Sequence, residues 1–279
     1  MIVAFAVMAI LAGCGGNLPS WFGGEETPTL PDLPQIPDIS QLPSLPGLPS
    51  ELEQLPGLLN ELGLPDLSQI SGLPGLSDLP LIQTPPGGMV FNGPIERGLR
   101  VGDRVPGTGI QLVGVSEAGA EFTIDGMRSV RAVGDSLDYD GPWPGLPGAT
   151  YNLRMRIYRA SDQSVRAAGV HQLTVQGVQP VQTNARVNDA TLRFPFTTGA
   201  NLGGTFAGIT YSYLGTDDRG AQIGGLPEGD YPYHKVGDSL SWAGNLRSDI
   251  QAEYNLRILM YNETGARVGG TVKLALPAQ

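Results

Sequence analysis

Ser136 and Ser239 share a setting: each follows Gly-Asp and precedes Leu, as Gly134-Asp135-Ser136-Leu137 and Gly237-Asp238-Ser239-Leu240. A serine hydroxyl attacks only when a neighbouring base takes its proton, and that base must itself be held in place. The two histidines, His171 and His234, lie far apart, and no residue near either serine in sequence supplies the base. No catalytic residue is therefore assigned. Asp135, Asp138 and Asp140, followed by Gly141, form a short acidic loop whose oxygens could gather around Ca²⁺. Trp143, within Gly141-Pro142-Trp143-Pro144-Gly145, and Tyr211, Tyr213, Tyr231 and Tyr233 are candidates for stacking on sugars or anchoring a protein. Cys14 is the single cysteine, which excludes an internal disulfide framework and any multi-cysteine metal site. Each histidine is at best one ligand of a site completed by carboxylates, and no cofactor is expected.

The serine words belong to a larger repetition. Val133-Gly134-Asp135-Ser136-Leu137 returns as Val236-Gly237-Asp238-Ser239-Leu240, and Tyr151-Asn152-Leu153-Arg154 returns as Tyr254-Asn255-Leu256-Arg257, both 103 residues on. The same offset pairs Tyr139 with Trp242, Gly141 with Gly244 and Tyr158 with Tyr261. Upstream, Gly107-Thr108 matches Gly204-Thr205 at 97 and Gly119-Ala120 matches Gly220-Ala221 at 101; downstream, Leu173 and Val175 match Leu274 and Leu276 at 101. This drift is that of loops changing length between kept strands, so the C-terminal two-thirds reads as one domain type repeated. Residues 89–180 and 181–279 are the expected copies. The acidic loop is not repeated, because Ser241 and Ala243 stand in the second copy where Asp138 and Asp140 stand in the first.

Alternation in the copies is that of strands. Tyr151, Leu153, Met155 and Ile157 share one face while Asn152, Arg154, Arg156 and Tyr158 share the other. Further strands are expected over 110–115, 120–124, 169–175, 190–196, 209–214 and 271–276, with Gly, Pro, Asp and Asn between them. Strands with one apolar face need a second sheet to cover them, which predicts an all-β chain with a β-sandwich, immunoglobulin-like in general plan, in each copy. In that plan Gly134-Asp135 and Gly237-Asp238 are turns, and Tyr139 and Trp242 pack on the Tyr-Asn-Leu-Arg strand. Gly-Asp-Ser-Leu also resembles the nucleophile block of the GDSL hydrolases, whose fold is α/β with an Asp-x-x-His pair near its end. Here the block is mid-domain in a β pattern, and Asp230 precedes His234 by four. The resemblance stops at four residues, and the chain is read as not an enzyme.

At the other end, residues 2–11 are an apolar run followed by Leu11-Ala12-Gly13-Cys14. Such a run is too short to span a bilayer as a mature helix and suits a signal peptide. The four residues resemble the lipobox of bacterial lipoproteins, which implies cleavage after residue 13 and a diacylglycerol and acyl chains on Cys14. More than one chain anchors a protein firmly where a single one does not. The resemblance implies a protein of the bacterial cell envelope, held on the secreted side of a membrane.

From 17 to 88 the composition shifts to 14 of the 24 prolines. Pro28, Pro31, Pro34 and Pro37 recur every third residue beside a leucine and isoleucine column, Leu30, Leu33, Ile36 and Ile39. A period of three rich in proline is that of polyproline II. Residues 14–88 thus read as a lipidated, acidic tether, either a spacer or an aliphatic ridge that docks on a partner. No Lys or Arg precedes Arg97 while ten acids do, which leaves 17 acids against 17 bases in the rest of a chain whose net charge is −10. That balance argues against nucleic acid as a partner. The expected function is structural or adhesive binding of an envelope protein or wall polymer. A carbohydrate-recognition module is the alternative, and a hydrolase with an unrecognised acidic site the second.

Overall fold

The computed structural model describes residues 74, 78–80, 84–184, 186–189 and 191–277, all within one compact unit. Cys14, the expected signal peptide and nearly all of the expected tether lie outside them. Fifteen strands are described. The first copy holds β1 (Met89–Arg100), β2 (Ile110–Ser116), β3 (Gly119–Ile124), β4 (Met127–Arg131), β5 (Ser136–Pro142), β6 (Ala149–Ser161) and β7 (Ser164–Val175). After β8 (Val181–Gln182) come β9 (Leu192–Asn201), β10 (Ser212–Asp217), β11 (Gly220–Gly224), β12 (Tyr233–His234), β13 (Ser239–Arg247), β14 (Ile250–Asn262) and β15 (Gly265–Ala275).

All sheets are antiparallel, and the two copies share one topology. A large sheet runs β1-β7-β6-β5 in the first copy and β9-β15-β14-β13 in the second, where β8 adds a fifth strand beside β13. A small sheet, β2-β3-β4 or β10-β11-β12, accompanies each. The all-β architecture is the one that alternation demands. Its connectivity is a meander closed by the first strand, which is not the Greek-key order of an immunoglobulin plan.

Register corrects the sequence alignment. Gly134 N–H donates to Ile157 O and Ile157 N–H to Asp135 O; Gly237 and Ile258 make the same exchange with Asp238. Arg156 donates to Gly134 O at 3.0 Å, and Arg257 to Gly237 O at 3.1 Å. A Cβ on Gly169 would meet Arg154 O at 1.9 Å, and one on Gly270 would meet Asn255 O at 2.0 Å. Arg154 therefore corresponds to Asn255 and Arg156 to Arg257, an offset of 101, and the two Tyr-Asn-Leu-Arg words are not superposed. Tyr158 and Leu259, not Tyr261, occupy the bulge left between the paired flanks of β6 and β14. Gly107 likewise corresponds to Gly208, both at positive φ, and not to Gly204. The serine words do superpose at 103, because paired positions of β3 and β4 lie 11 residues apart in the first copy (Ala120 with Arg131) and 13 in the second (Ala221 with His234), and those of β5 and β6 lie 20 apart (Ser136 with Arg156) and 18 (Ser239 with Arg257).

The buried residues of both copies form one continuous cluster. Each small sheet contributes its inner face: Ile110, Leu112, Ala120 and Phe122 in one, Tyr211, Tyr213, Ala221 and Ile223 in the other. Between the copies β1 meets β9. Phe194 stacks on His171 at 4.1 Å and lies 5.7 Å from Phe91, which also faces Phe196 at 6.0 Å. Burying one such ring contributes about 2–3 kcal/mol. Arg97 donates to Thr191 O at 2.9 Å, and Arg247 donates to Pro147 O at 2.8 Å, so backbone of each copy is also held by a guanidinium of the other.

Candidate functional site

The aromatic candidates separate by burial. Trp143 is 2% exposed, edge-on to Tyr151 at 5.2 Å, with its ring against Gly107. Tyr211 and Tyr213 are equally buried and donate to Ser241 O at 2.8 Å and Asn262 O at 2.6 Å, fixing the small sheet of the second copy to its large one. These three are core, not contact residues. The phenols need a polar partner when buried, and the backbone of an adjoining strand or turn is what the fold offers. Tyr231 remains exposed and lies 5.7 Å from Tyr233, over whose ring Arg219 sits at 3.7 Å. This pair, Tyr231 exposed and Tyr233 half-buried, is what survives of the expected aromatic site.

The acidic loop is not assembled. Asp135 caps its own turn by accepting Ala132 N–H at 2.8 Å. Asp140 accepts from Arg154 at 2.8 and 3.0 Å and from Asn152 at 2.7 Å, and the Arg154 bond above all holds its carboxyl below the usual range. Asp138 stands two residues along the strand, opposite Arg154. Among the described residues no three acidic, histidine or cysteine side chains group as metal ligands. His171 is fully buried, with Nδ1 3.1 Å from Tyr151 Oη. Burial first, and then the charge of Arg97, pushes its pKa down to about 3, so the ring is a neutral part of the core. The two serines stand at equivalent places on the outer faces of the large sheets, Ser136 opposite Arg156 and Ser239 opposite Arg257. An arginine is always charged and cannot serve as a base.

Sequence reasoning missed the surface that Ser239 borders. The outer face of β9-β15-β14-β13 holds a shallow cleft of about 420 Å³. Its middle row, across three strands, is Ser241, Asn255 and Thr271. Arg257 stands at one end, and Lys273 and Arg193, directly opposite one another, at the other. Arg193 and Arg257 are exposed. Glu253 beside Lys273 is committed within the fold: it accepts Val187 N–H at 3.1 Å, with Lys273 at 3.3 Å and Arg186 at 4.0 Å. Burial alone would raise its pKa, but these partners hold it below the usual range. The signal was present in the outward positions of Leu192-Arg193-Phe194 and Val272-Lys273-Leu274, but only the sheet order brings them side by side.

On the first sheet the counterparts Asn92, Asp138 and Arg156 are exposed, and only the column on β7 is covered. Ala168, Val170, Gln172 and Thr174, the outward residues of the second half of β7, are buried, while Arg166 before them is exposed. Leu79 is 5% exposed and lies outside the main core cluster, as do Ala168 and Val170, and Asp78 acts on Arg154 to help raise its pKa. The segment leading into each copy thus meets the outer face of that copy's sheet, through Asp78 with Arg154 in one and Arg186 with Glu253 in the other. No protein-family model, no curated protein and no solved structure matches the chain.

Proposed function

We propose that this chain is a lipid-anchored protein of the bacterial cell envelope that holds an envelope component on the outer face of its second large sheet, without chemistry of its own. The observation that carries the binding role is the open, polar cleft of Arg193, Arg257, Lys273, Ser241, Asn255 and Thr271; in the first copy the counterparts of Thr271 and Lys273, Val170 and Gln172, are buried. Duplicated strands with one exposed and one covered face give a rigid platform, and binding groups on rigid elements are held more precisely than groups on loops. Anchorage rests on the lipobox resemblance at Leu11-Ala12-Gly13-Cys14. A wall polymer suits the cleft better than a globular protein, since a shallow polar trough without an aromatic or aliphatic anchor lacks the hot spot of protein interfaces.

A photoreactive residue at position 241 of the full chain, expressed in envelope-bearing cells, tests the site. It is expected to crosslink to an envelope component, while the same group at Glu117 on the far β2–β3 turn does not. Equal crosslinking at both positions would remove the cleft from the account. Cys14→Ser is expected to move the protein from the membrane to the soluble fraction, and unchanged partitioning would remove the anchor.

A further inference from the structure

We infer that the cleft binds a linear polymer bearing carboxylate or phosphate groups, with anionic groups engaged at both ends and neutral hydroxyls across the middle. This rests on the binding role proposed above and names its ligand class. Arg257 and the residue opposite Lys273 on β14, Glu253, are four residues apart along one strand, which is about 14 Å. No single carboxylate or phosphate reaches both cationic ends, but an extended chain does. Between the ends, Ser241, Asn255 and Thr271 offer two hydroxyls and an amide, groups that donate to and accept from sugar or polyol hydroxyls. Among the described residues Arg193 makes no side-chain hydrogen bond or ion pair, and Arg257 donates only to Gly237 O. Both guanidinium groups are therefore available for the bidentate bonds that carboxylates and phosphates accept.

The first copy shows how the fold cancels such a site. There the position of Ser241 is Asp138 and that of Ala243 is Asp140, which neutralises Arg154. Arg193 and Lys273 are replaced by Asn92 and Gln172, directly opposite one another. Two acids are gained and two bases lost, while Arg154 stands for Asn255 and Asn152 for Glu253, so the first face pairs its charges within itself with the fold unchanged. Nothing in the core requires that difference, because all of these side chains point away from it.

The test uses the full chain in detergent and three probes: polygalacturonate, inorganic polyphosphate and neutral dextran. Retention by at least one polyanion, weakening as salt is added, and none by dextran is the expected result. Preference between the two polyanions distinguishes carboxylate from phosphate as the recognised group. Arg193→Gln and Arg257→Gln are each expected to weaken binding about tenfold, and galacturonate monomer or orthophosphate to compete poorly. Ser241→Asp, which installs the acid of the first copy, is expected to abolish binding with an unchanged thermal midpoint. Undiminished binding by the Arg193→Gln/Arg257→Gln double variant, or retention by neutral dextran equal to that by the polyanions, would overturn the inference. Crosslinking at position 241 to a neutral polymer or a protein, with no polyanion bound, would overturn it while leaving the binding role standing. If position 241 captures nothing and no probe is retained, both fall.

Discussion

On the first large sheet, Asp138 and Asp140 lie beside Arg154 and Asn152, and the outward residues of β7 from Ala168 to Thr174 are buried. On the second, the same lattice points hold Ser241, Ala243, Asn255 and Glu253, and Lys273 and Arg193 look onto open space. The cores beneath are built alike, down to the glycine of the seventh strand on which the neighbouring carbonyl rests. Duplication has preserved what each sheet buries and released what it displays. Residues on the inner face are coupled to many neighbours and to the partner copy, whereas an outward substitution costs little. A face so released is where new binding properties accumulate.

The equivalence can be broken most sharply at Gly169 and Gly270. A methyl group at either place would overlap a backbone carbonyl, and Gly→Ala is expected to cost about 3 kcal/mol or more in each copy by denaturant titration. A large loss at one and none at the other would refute the 101-residue correspondence.

The next effect distinguishes the cores. His171 in the first copy occupies the place of Val272 in the second, each opposite the third inward residue of β6 or β14. Its folded pKa of about 3 lies below the value near 6.5 of an unfolded chain, so the fold favours the neutral ring. The contribution is complete above pH 6.5 and is lost as pH falls toward 3. Between pH 7 and pH 4.5 that amounts to about 2–3 kcal/mol. His171→Phe is expected to flatten this part of the stability–pH curve, and an unchanged slope would show that the imidazole is not responsible.

Tyr213→Phe removes the partly buried bond to Asn262 O. A loss of about 1 kcal/mol is expected in urea melts, against none for the exposed Tyr231→Phe. The smallest effect on stability concerns the outer faces. Arg154→Gln breaks a partly exposed pair with Asp140 and is expected to cost under about 1 kcal/mol, while Arg257→Gln leaves the melt unchanged and acts only on ligand binding. Similar stability losses at both positions would mean that the second face is engaged within the fold after all.

Strand content and facing were legible because alternation reports them directly. Tyr151, Leu153, Met155 and Ile157 are all inward and buried, as their spacing indicates. The aromatic candidates were legible only as aromatics: nothing in the local sequence distinguishes Trp143, wedged against Gly107, from Tyr231 in solvent. The cleft was not legible, because its residues come from four strands that are neighbours only in the sheet.

By itself the sequence determined that the chain is built of strands, that its C-terminal part is duplicated, and which side of each strand is apolar. It could not determine register. A shift of two residues returns every side chain to the same face, so two Tyr-Asn-Leu-Arg words match in type while standing two places apart in the sheets. Loop lengths, the pairing of β1 with β7 and the meeting of β1 with β9 decided that, together with which outward column was covered and which left open. Those are contacts between residues distant in the chain, and periodicity along a strand carries no record of them.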